Sequence, residues 1–362
     1  MAGGPLVLTL DAGGTTFAFS AVQDGREAVA PVVLPALGED LDACLGQLHK
    51  GFKAVHEATG KQASAISFAF PGPADYPRGV IGDLKNLPGF RGGVALGPML
   101  EDAFQVPVFL NNDGDLFAYG EALAGRLPEV NAELEAAGSP FRHRHLLGLT
   151  IGTGFGAGIV AEGRLLRGDN SAAGEIWLVR SKTYPTCFAE EGVSIAAVRS
   201  IYAQLVGAEA PEPKVLADIA RGITPGNRAA AREAFRALGE ATGDAIANAL
   251  TLVDGLVVIG GGLSGAADLF LPALMAELNG TLATRNGGTV GRLESRAYNL
   301  EDANGKAAFL KGEARDVVVP GSKRRVAYDP LKRAGVCISR LGAAKAVALG
   351  AWAFAVDALD RR

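Results

Sequence analysis

The sequence predicts an α/β protein of two domains. Three observations carry that expectation. Through residue 124 the apolar segments alternate as β-β-β-α-β-α-β-α, the order of an α/β domain. A glycine-rich strand–turn–strand unit occurs twice, at 6–22 and at 146–160. The chain has 362 residues, which is long for one domain.

The elements follow in order. Residues 6–35 read as a meander of short strands and glycine turns, with Asp11-Ala12-Gly13-Gly14-Thr15 in the first turn. Residues 38–59 place Leu41, Cys44, Leu45, Leu48, Phe52 and Val55 at helical spacing and stop at Gly60. A strand at 65–70 is broken by Pro71-Gly72-Pro73. A strand at 106–110 leads to Asn111-Asn112-Asp113, and a helix follows at 116–124. After the second glycine turn, helices are expected at 195–206, 215–220 and 225–252. A buried strand at 255–259 feeds Gly260-Gly261-Gly262, and another helix spans 266–278. Residues 279–335 mix strands, turns and charge, including Lys323-Arg324-Arg325. The stretch 341–359 is an alanine-rich apolar helix, suited to close packing on another helix.

Composition narrows the class. Thirty-five basic against 39 acidic residues, a net charge of −4, argue against nucleic acid as the main partner. No apolar run approaches the roughly 20 residues of a membrane span. Met1-Ala2-Gly3-Gly4 lacks the basic start of a signal peptide. Cys44, Cys187 and Cys337 are scattered and form no disulfide framework, which points to a reducing, cytoplasmic setting.

The motifs carry the chemistry. Two similar glycine loops could hold a polyphosphate, because glycine lets backbone N–H groups approach phosphate oxygens. Asp11 adds a carboxylate where Mg²⁺ would be needed, although the same residues also suit an ordinary hairpin turn. Gly152-Thr153-Gly154-Phe155-Gly156-Ala157 matches the dinucleotide pattern but runs into a strand instead of a helix, so an NAD site is rejected. Asn112-Asp113 reads as a helix N-cap or as a general base at the mouth of a cleft. Glu175 reads as a surface turn or as an acceptor for sugar hydroxyls. Gly260-Gly261-Gly262 signals either a ligand against the backbone or a tight crossing. His143 and His145 have no metal-ligand partners at suitable spacing and read as loop histidines.

Taken together, these motifs resemble the ROK family (repressor, open reading frame, kinase) of sugar kinases. The matching stretches are Leu10 to Thr15, Pro71-Gly72-Pro73, Asn86 to Phe90, Asn112-Asp113 with Gly120-Glu121, Thr150 to Gly154, Arg167 to Glu175 and Val258 to Gly262. The resemblance implies a two-domain actin-like ATPase fold of the ribonuclease H-like type, with a cleft between the domains that closes on sugar. It places a small domain at 1–113, completed by a helix at about 341–362, and a large domain at 114–340 with an insertion at about 279–335. It implies ATP, Mg²⁺ and a sugar as ligands. Asp113 would be the base. Asp11 would organise Mg²⁺ through water. Gly13, Gly14, Thr15, Gly152, Thr153 and Gly154 would hold phosphates, with Gly261 and Gly262 against adenosine. Asn86, Asn112, Glu175 and Glu190 would face the sugar, with Glu191 as an alternative to Glu190. A homodimer is the family default.

The chain departs from the family pattern in three places. The family follows the glutamate as E-x-G-H, whereas here Glu175-Ile176-Trp177-Leu178 lacks the histidine. The family's cysteine-rich zinc loop is reduced to Cys187, and one thiol cannot make a tetrahedral site, so no structural zinc is expected. Residues 279–335 exceed family length. Trp177 could offer an apolar face to the sugar or belong to the core. The resulting expectation is an ATP-dependent hexose kinase acting on the 6-hydroxyl of a glucose-type sugar, with N-acetylhexosamine, mannose or fructose as alternatives. The rivals are a catalytically weak sugar-sensing regulator and a non-sugar kinase of the same superfamily. Because the chain begins at the phosphate-loop strand, no helix-turn-helix module is expected.

Overall fold

The computed structural model describes residues 3–13 and 15–361, which divide into two compact units. The first comprises residues 1–125, 164–174 and 341–362, and the second 126–163 and 175–340.

In the first unit, β1 (Leu6–Ala12) and β2 (Thr16–Gln23) form an antiparallel hairpin, with Asp11 opposite Ala18. Strands β3 (Arg26–Glu27) and β4 (Val32–Pro35) both pair with β2. Period-two alternation sorts the hairpin. Leu6, Leu8, Leu10, Phe17 and Phe19 enter the core, while Val7, Thr9 and Asp11 take the opposite face. Helix α1 (Leu41–Thr59) covers the core face with Cys44, Leu48, Phe52 and Val55. It starts at 41 and not at 38 because Asp40 caps it, accepting from the Ala43 amide at 3.0 Å. Gly60 ends it in the left-handed conformation.

Strand β5 (Ala65–Ala69) runs parallel to β1. A small hairpin, β6 (Ala74–Asp75) with β7 (Val80–Ile81), and helix α2 (Leu96–Phe104) precede β8 (Val108–Asn111), which is parallel to β5. The sheet order is β3-β2-β1-β5-β8. Helix α3 (Asp113–Ala124) begins three residues before the start expected from periodicity, because Asn112 supplies the cap. It packs on the C-terminal helix Ala343–Asp360. A Cβ at Gly120 would lie 2.0 Å from the Ala346 carbonyl oxygen, and one at Gly350 would lie 1.9 Å from that of Leu116. This contact keeps residues 114–125 with the first unit, so its boundary falls at 125 and not at 113. Strand β11 (Arg164–Leu166) and the residues up to Gly174 join the same unit.

The second unit contains α4 (Arg126–Ala136), the antiparallel pair β9 (Leu146–Ile151) and β10 (Phe155–Ala161), and helices α5 (Ile195–Val206), α6 (Pro213–Arg221) and α7 (Arg228–Val253). Strand β12 (Leu256–Gly260) lies parallel to β9 and leads to α8 (Ala267–Leu278). Helices α7 and α8 approach closely at Gly239, where a Cβ would sit 2.2 Å from the Phe270 carbonyl oxygen.

Residues 279–335 are not one inserted block. The stretch makes two exposed hairpins, β13 (Thr281–Ala283) with β14 (Thr289–Gly291) and β16 (Arg315–Val318) with β17 (Arg325–Tyr328). Between them stand β15 (Arg296–Asn299) and α9 (Ala303–Lys311). Strands β15 and β18 (Arg333–Ile338) belong to the main sheet, in the order β10-β9-β12-β18-β15. The hairpins carry the charge and turn residues that mask these two strands in the sequence. The C-terminal helix is α10. Among the described residues no helix is long and apolar enough to cross a membrane.

Candidate active site

In the first unit the β1–β2 turn is tight. The Gly13 amide donates to the Thr16 carbonyl at 3.0 Å, and a Cβ on Gly13 would meet that oxygen at 2.9 Å. Glycine is therefore required by the turn itself. Thr15 is exposed at the tip, and Gly14 lies outside the described residues. Asp11 ends β1. It is exposed by surface area, yet enough protein surrounds its carboxyl that desolvation raises its pKa, and the charge of Asp113 raises it further. Asp11 and Asp113 are thus electrostatic neighbours, although 102 positions apart in sequence.

Asn112 and Asp113 stand where β8 gives way to α3. Asn112 Oδ1 and Asp113 Oδ1 each accept from the Gly114 amide at 2.8 Å. Asn112 does cap the helix, and the cap in turn fixes Asp113 at an exposed helix start. Asn86 is exposed on the loop before α2, a loop anchored by buried Leu84, Leu87 and Phe90.

Arg167 received no role in the sequence reading. Its guanidinium lies 4.9 Å from the Phe354 ring centroid and 3.5 Å from Asn111 Oδ1, next to the Asn112-Asp113 pair. Its signal was its place at the head of the Arg167-to-Glu175 motif.

In the second unit the β9–β10 turn closes with the Gly152 amide donating to the Gly154 carbonyl at 2.9 Å. Beside it runs the turn after β12, since a Cβ on Gly152 would lie 3.8 Å from the Gly262 nitrogen. The two turns are stitched by the Leu263 amide donating to Ile151 at 3.0 Å. Gly261, at φ 88°, needs glycine because a Cβ would sit 2.5 Å from the Ile151 carbonyl oxygen. The close approach there comes from protein backbone. Gly262 by contrast faces open space, and Thr153 is exposed. Among the described residues, the amides of Thr153, Gly154 and Gly262 donate to no protein acceptor. Such grouped orphan donors fit phosphate oxygens.

Glu190 serves this loop. Its Oε2 accepts from the Phe155 amide at 2.8 Å and lies 2.9 Å from where a Gly154 Cβ would be. Glu191 is exposed. Glu175 is half-buried, and its Oε2 accepts from the indole N–H of Trp177. The indole packs against the core of the unit and meets the Phe188 ring edge-on, with centroids 5.6 Å apart. Leu178, at the position of the family histidine, is exposed. The segment that would hold a zinc loop is instead a backbone-bonded hairpin, with the Ala189 amide donating to Val179 at 2.7 Å and that of Ser181 to Cys187 at 3.1 Å. Cys187 is exposed, and among the described residues no group of three or more His, Cys, Asp and Glu side chains could hold a metal ion. One thiol in this segment falls short of the four donors of a structural zinc site.

His143 is buried against the Phe309 ring, 5.7 Å between centroids, and burial pushes its pKa down to about 4. It is a core residue, not a ligand.

The sequence model of the ROK family matches residues 7–312. The crystal structure of glucokinase from Parabacteroides distasonis ATCC 8503 is 55% identical, covers 98% of each chain and superposes with a TM-score of 0.90. Glucokinase from Thermotoga maritima is 27% identical over 294 residues, 75% of this chain and 86% of that protein. N-acetyl-D-glucosamine kinase from Vibrio cholerae is 29% identical over 174 residues, 47% of this chain and 51% of that protein.

Proposed function

The chain belongs to the ROK family and has its actin-like ATPase fold, and on that premise we propose that it is an ATP-dependent hexose kinase. The observation that carries the reading is the electrostatic coupling of Asp11 and Asp113. One of these carboxylates serves as base, and the other, raised in pKa by desolvation and by its neighbour, gains from a bound cation.

Asp113 Oδ1 is held by the Gly114 amide, which leaves Oδ2 to take the proton of the attacking hydroxyl. Asn112 and Asn86 present amides to the sugar from the same unit. The amides of Thr153, Gly154 and Gly262 bind phosphate oxygens, with Thr15 and Thr153 adding hydroxyl donors. Gly13 and Gly152 keep their turns tight enough for this approach, and Gly262 leaves room for adenosine. Asp11 would hold Mg²⁺ through water, and the ion would supply charge neutralisation for the transferring phosphoryl group. Glu175 accepts from a sugar hydroxyl, and Glu190 acts on the sugar side of the glycine loop it anchors. No zinc takes part. The enzyme works in the cytoplasm on small molecules, without nucleic acid or membrane partners.

The 55% identical P. distasonis glucokinase makes glucose the first substrate to test, with transfer to the 6-hydroxyl. The V. cholerae relative adds N-acetyl-D-glucosamine. A coupled ADP-release assay with Mg-ATP against a hexose panel, on wild type and Asp113→Ala, tests the reading. Turnover on one sugar is expected, falling about 10²–10⁴-fold in the variant while calorimetric sugar binding persists. Saturable sugar binding with no turnover on any hexose would replace the kinase by a sugar-sensing protein.

A further inference from the structure

We propose that Trp177 is the positioning residue for Glu175, and that by fixing this carboxylate it sets which sugar hydroxyl the enzyme discriminates. The inference rests on the sugar-kinase reading and on the place of Glu175 in it.

A glutamate side chain is flexible, and ordering it costs rotamer entropy. Glu175 sits at the head of a single 3-10 turn, Ile176–Leu178, and its side chain makes no cap bond to that turn. Among the described residues its one side-chain partner is the Trp177 indole N–H. That donor cannot reverse, because an indole N–H has no acceptor role. Nor can the ring move freely. It is packed on one side against the core of the unit and on another against Phe188 at 88°. Phe188 is itself held by its bridge to Arg180 and by the neighbouring Ala189-to-Val179 hydrogen bond. The hairpin therefore buttresses Trp177, and Trp177 buttresses Glu175.

Two consequences follow. Trp177 offers the sugar no polar edge, because its indole N–H is taken by Glu175 while its ring packs on the core and on Phe188. And Glu175 meets substrate with its carboxylate oriented by the indole on Oε2, which leaves Oε1 free to accept from a sugar hydroxyl. Leu178 cannot supply such a donor, and the donor here comes from the residue before it. The arrangement orients a carboxylate with tryptophan and a hairpin, without histidine or metal.

The test uses the full-length enzyme with its best hexose and that sugar's monodeoxy analogues. In wild type, removing the hydroxyl bound by Glu175 should cost roughly ten- to a hundredfold in kcat/KM, as for a hydrogen bond to a charged group. Trp177→Phe keeps a ring against Phe188 but deletes the donor. It should raise the sugar KM about tenfold and leave the ATP KM and kcat within about threefold. It should also shrink the penalty at that one hydroxyl while sparing the others. A structural role alone would not single out one hydroxyl. A second measurement covers a poorly folding variant. In Trp352→Phe, on helix α10 of the other unit, Trp177 is the sole indole, and its emission should change on titration with sugar, with a midpoint near KM. Unchanged KM and penalties in Trp177→Phe, or Trp177 emission indifferent to saturating sugar, would overturn the inference and leave the kinase reading standing. No turnover on any hexose in wild type would overturn both.

Discussion

Gly350→Ala should unfold the first unit at a lower temperature, although alanine is the better helix former. The Cβ it adds would lie 1.9 Å from the Leu116 carbonyl oxygen. Carbon and oxygen meet at about 3.3 Å, so helices α3 and α10 must part by roughly 1.4 Å. The obstructing atom is backbone and cannot rotate away. Overpacking of this kind costs about 3 kcal/mol, and relief of glycine's backbone entropy returns about 1 kcal/mol. The net loss is about 2 kcal/mol, or about 4–8 °C in Tm for a unit of this size. Gly46→Ala is the matched control. Gly46 lies on the exposed face of α1 with nothing within 4 Å of the added Cβ, so this change should raise Tm slightly. Calorimetry on the three proteins reads both signs. Helix α3 also carries Asp113 at its start, and a shift of about 1 Å there should lower kcat up to about 100-fold. Gly350→Ala melting at or above wild type would refute the close-packed crossing.

Other outcomes follow from charge and burial. Asp11 has a folded pKa above its ordinary 3.8, so the folded state holds its proton more tightly and ionisation costs stability as pH rises above 3.8. Asp11→Asn should therefore melt higher than wild type at pH 7, with the gap closing toward pH 4. The same variant should lose the extra stabilisation that Mg²⁺ adds to nucleotide in a thermal-shift assay. His143 behaves oppositely: its folded pKa is about 4 against 6.5 unfolded, so stability is present above 6.5 and lost as pH falls through that window. The loss by pH 4 is on the order of 3 kcal/mol, and urea melts of His143→Phe between pH 4 and 7 should show a flatter profile.

The fold was legible wherever local chemistry dictates it. Asp40 and Gly60 bound α1, and the alternation of Leu6, Leu8 and Leu10 with Val7 and Thr9 assigns β1 its two faces. Motif order alone carried the family, because the glycine turns, the Asn-Asp helix start and the glutamate after small residues are local patterns that can be read without any tertiary contact. Strands β15 and β18 were not legible, since the exposed hairpins between and before them hide the alternation of sheet and helix. The domain boundary was not legible either. It depends on Gly120 and Gly350 meeting carbonyls more than 200 residues away, and no window of sequence contains that pairing.

The sequence by itself determined the chemistry available: two carboxylates, two glycine turns, a glutamate, and neither the family histidine nor its zinc loop. Tertiary structure decided what each stands beside. It made Asp11 and Asp113 neighbours, set Gly261 against the Ile151 backbone, and tied Glu190 to the Phe155 amide. It also gave Glu175 a tryptophan for a partner. The physical reason is the range of the forces. Caps, turns and alternation act within a few residues, where sequence is enough. Charge coupling, close approach and side-chain orientation act through space, between residues that only the folded chain brings together.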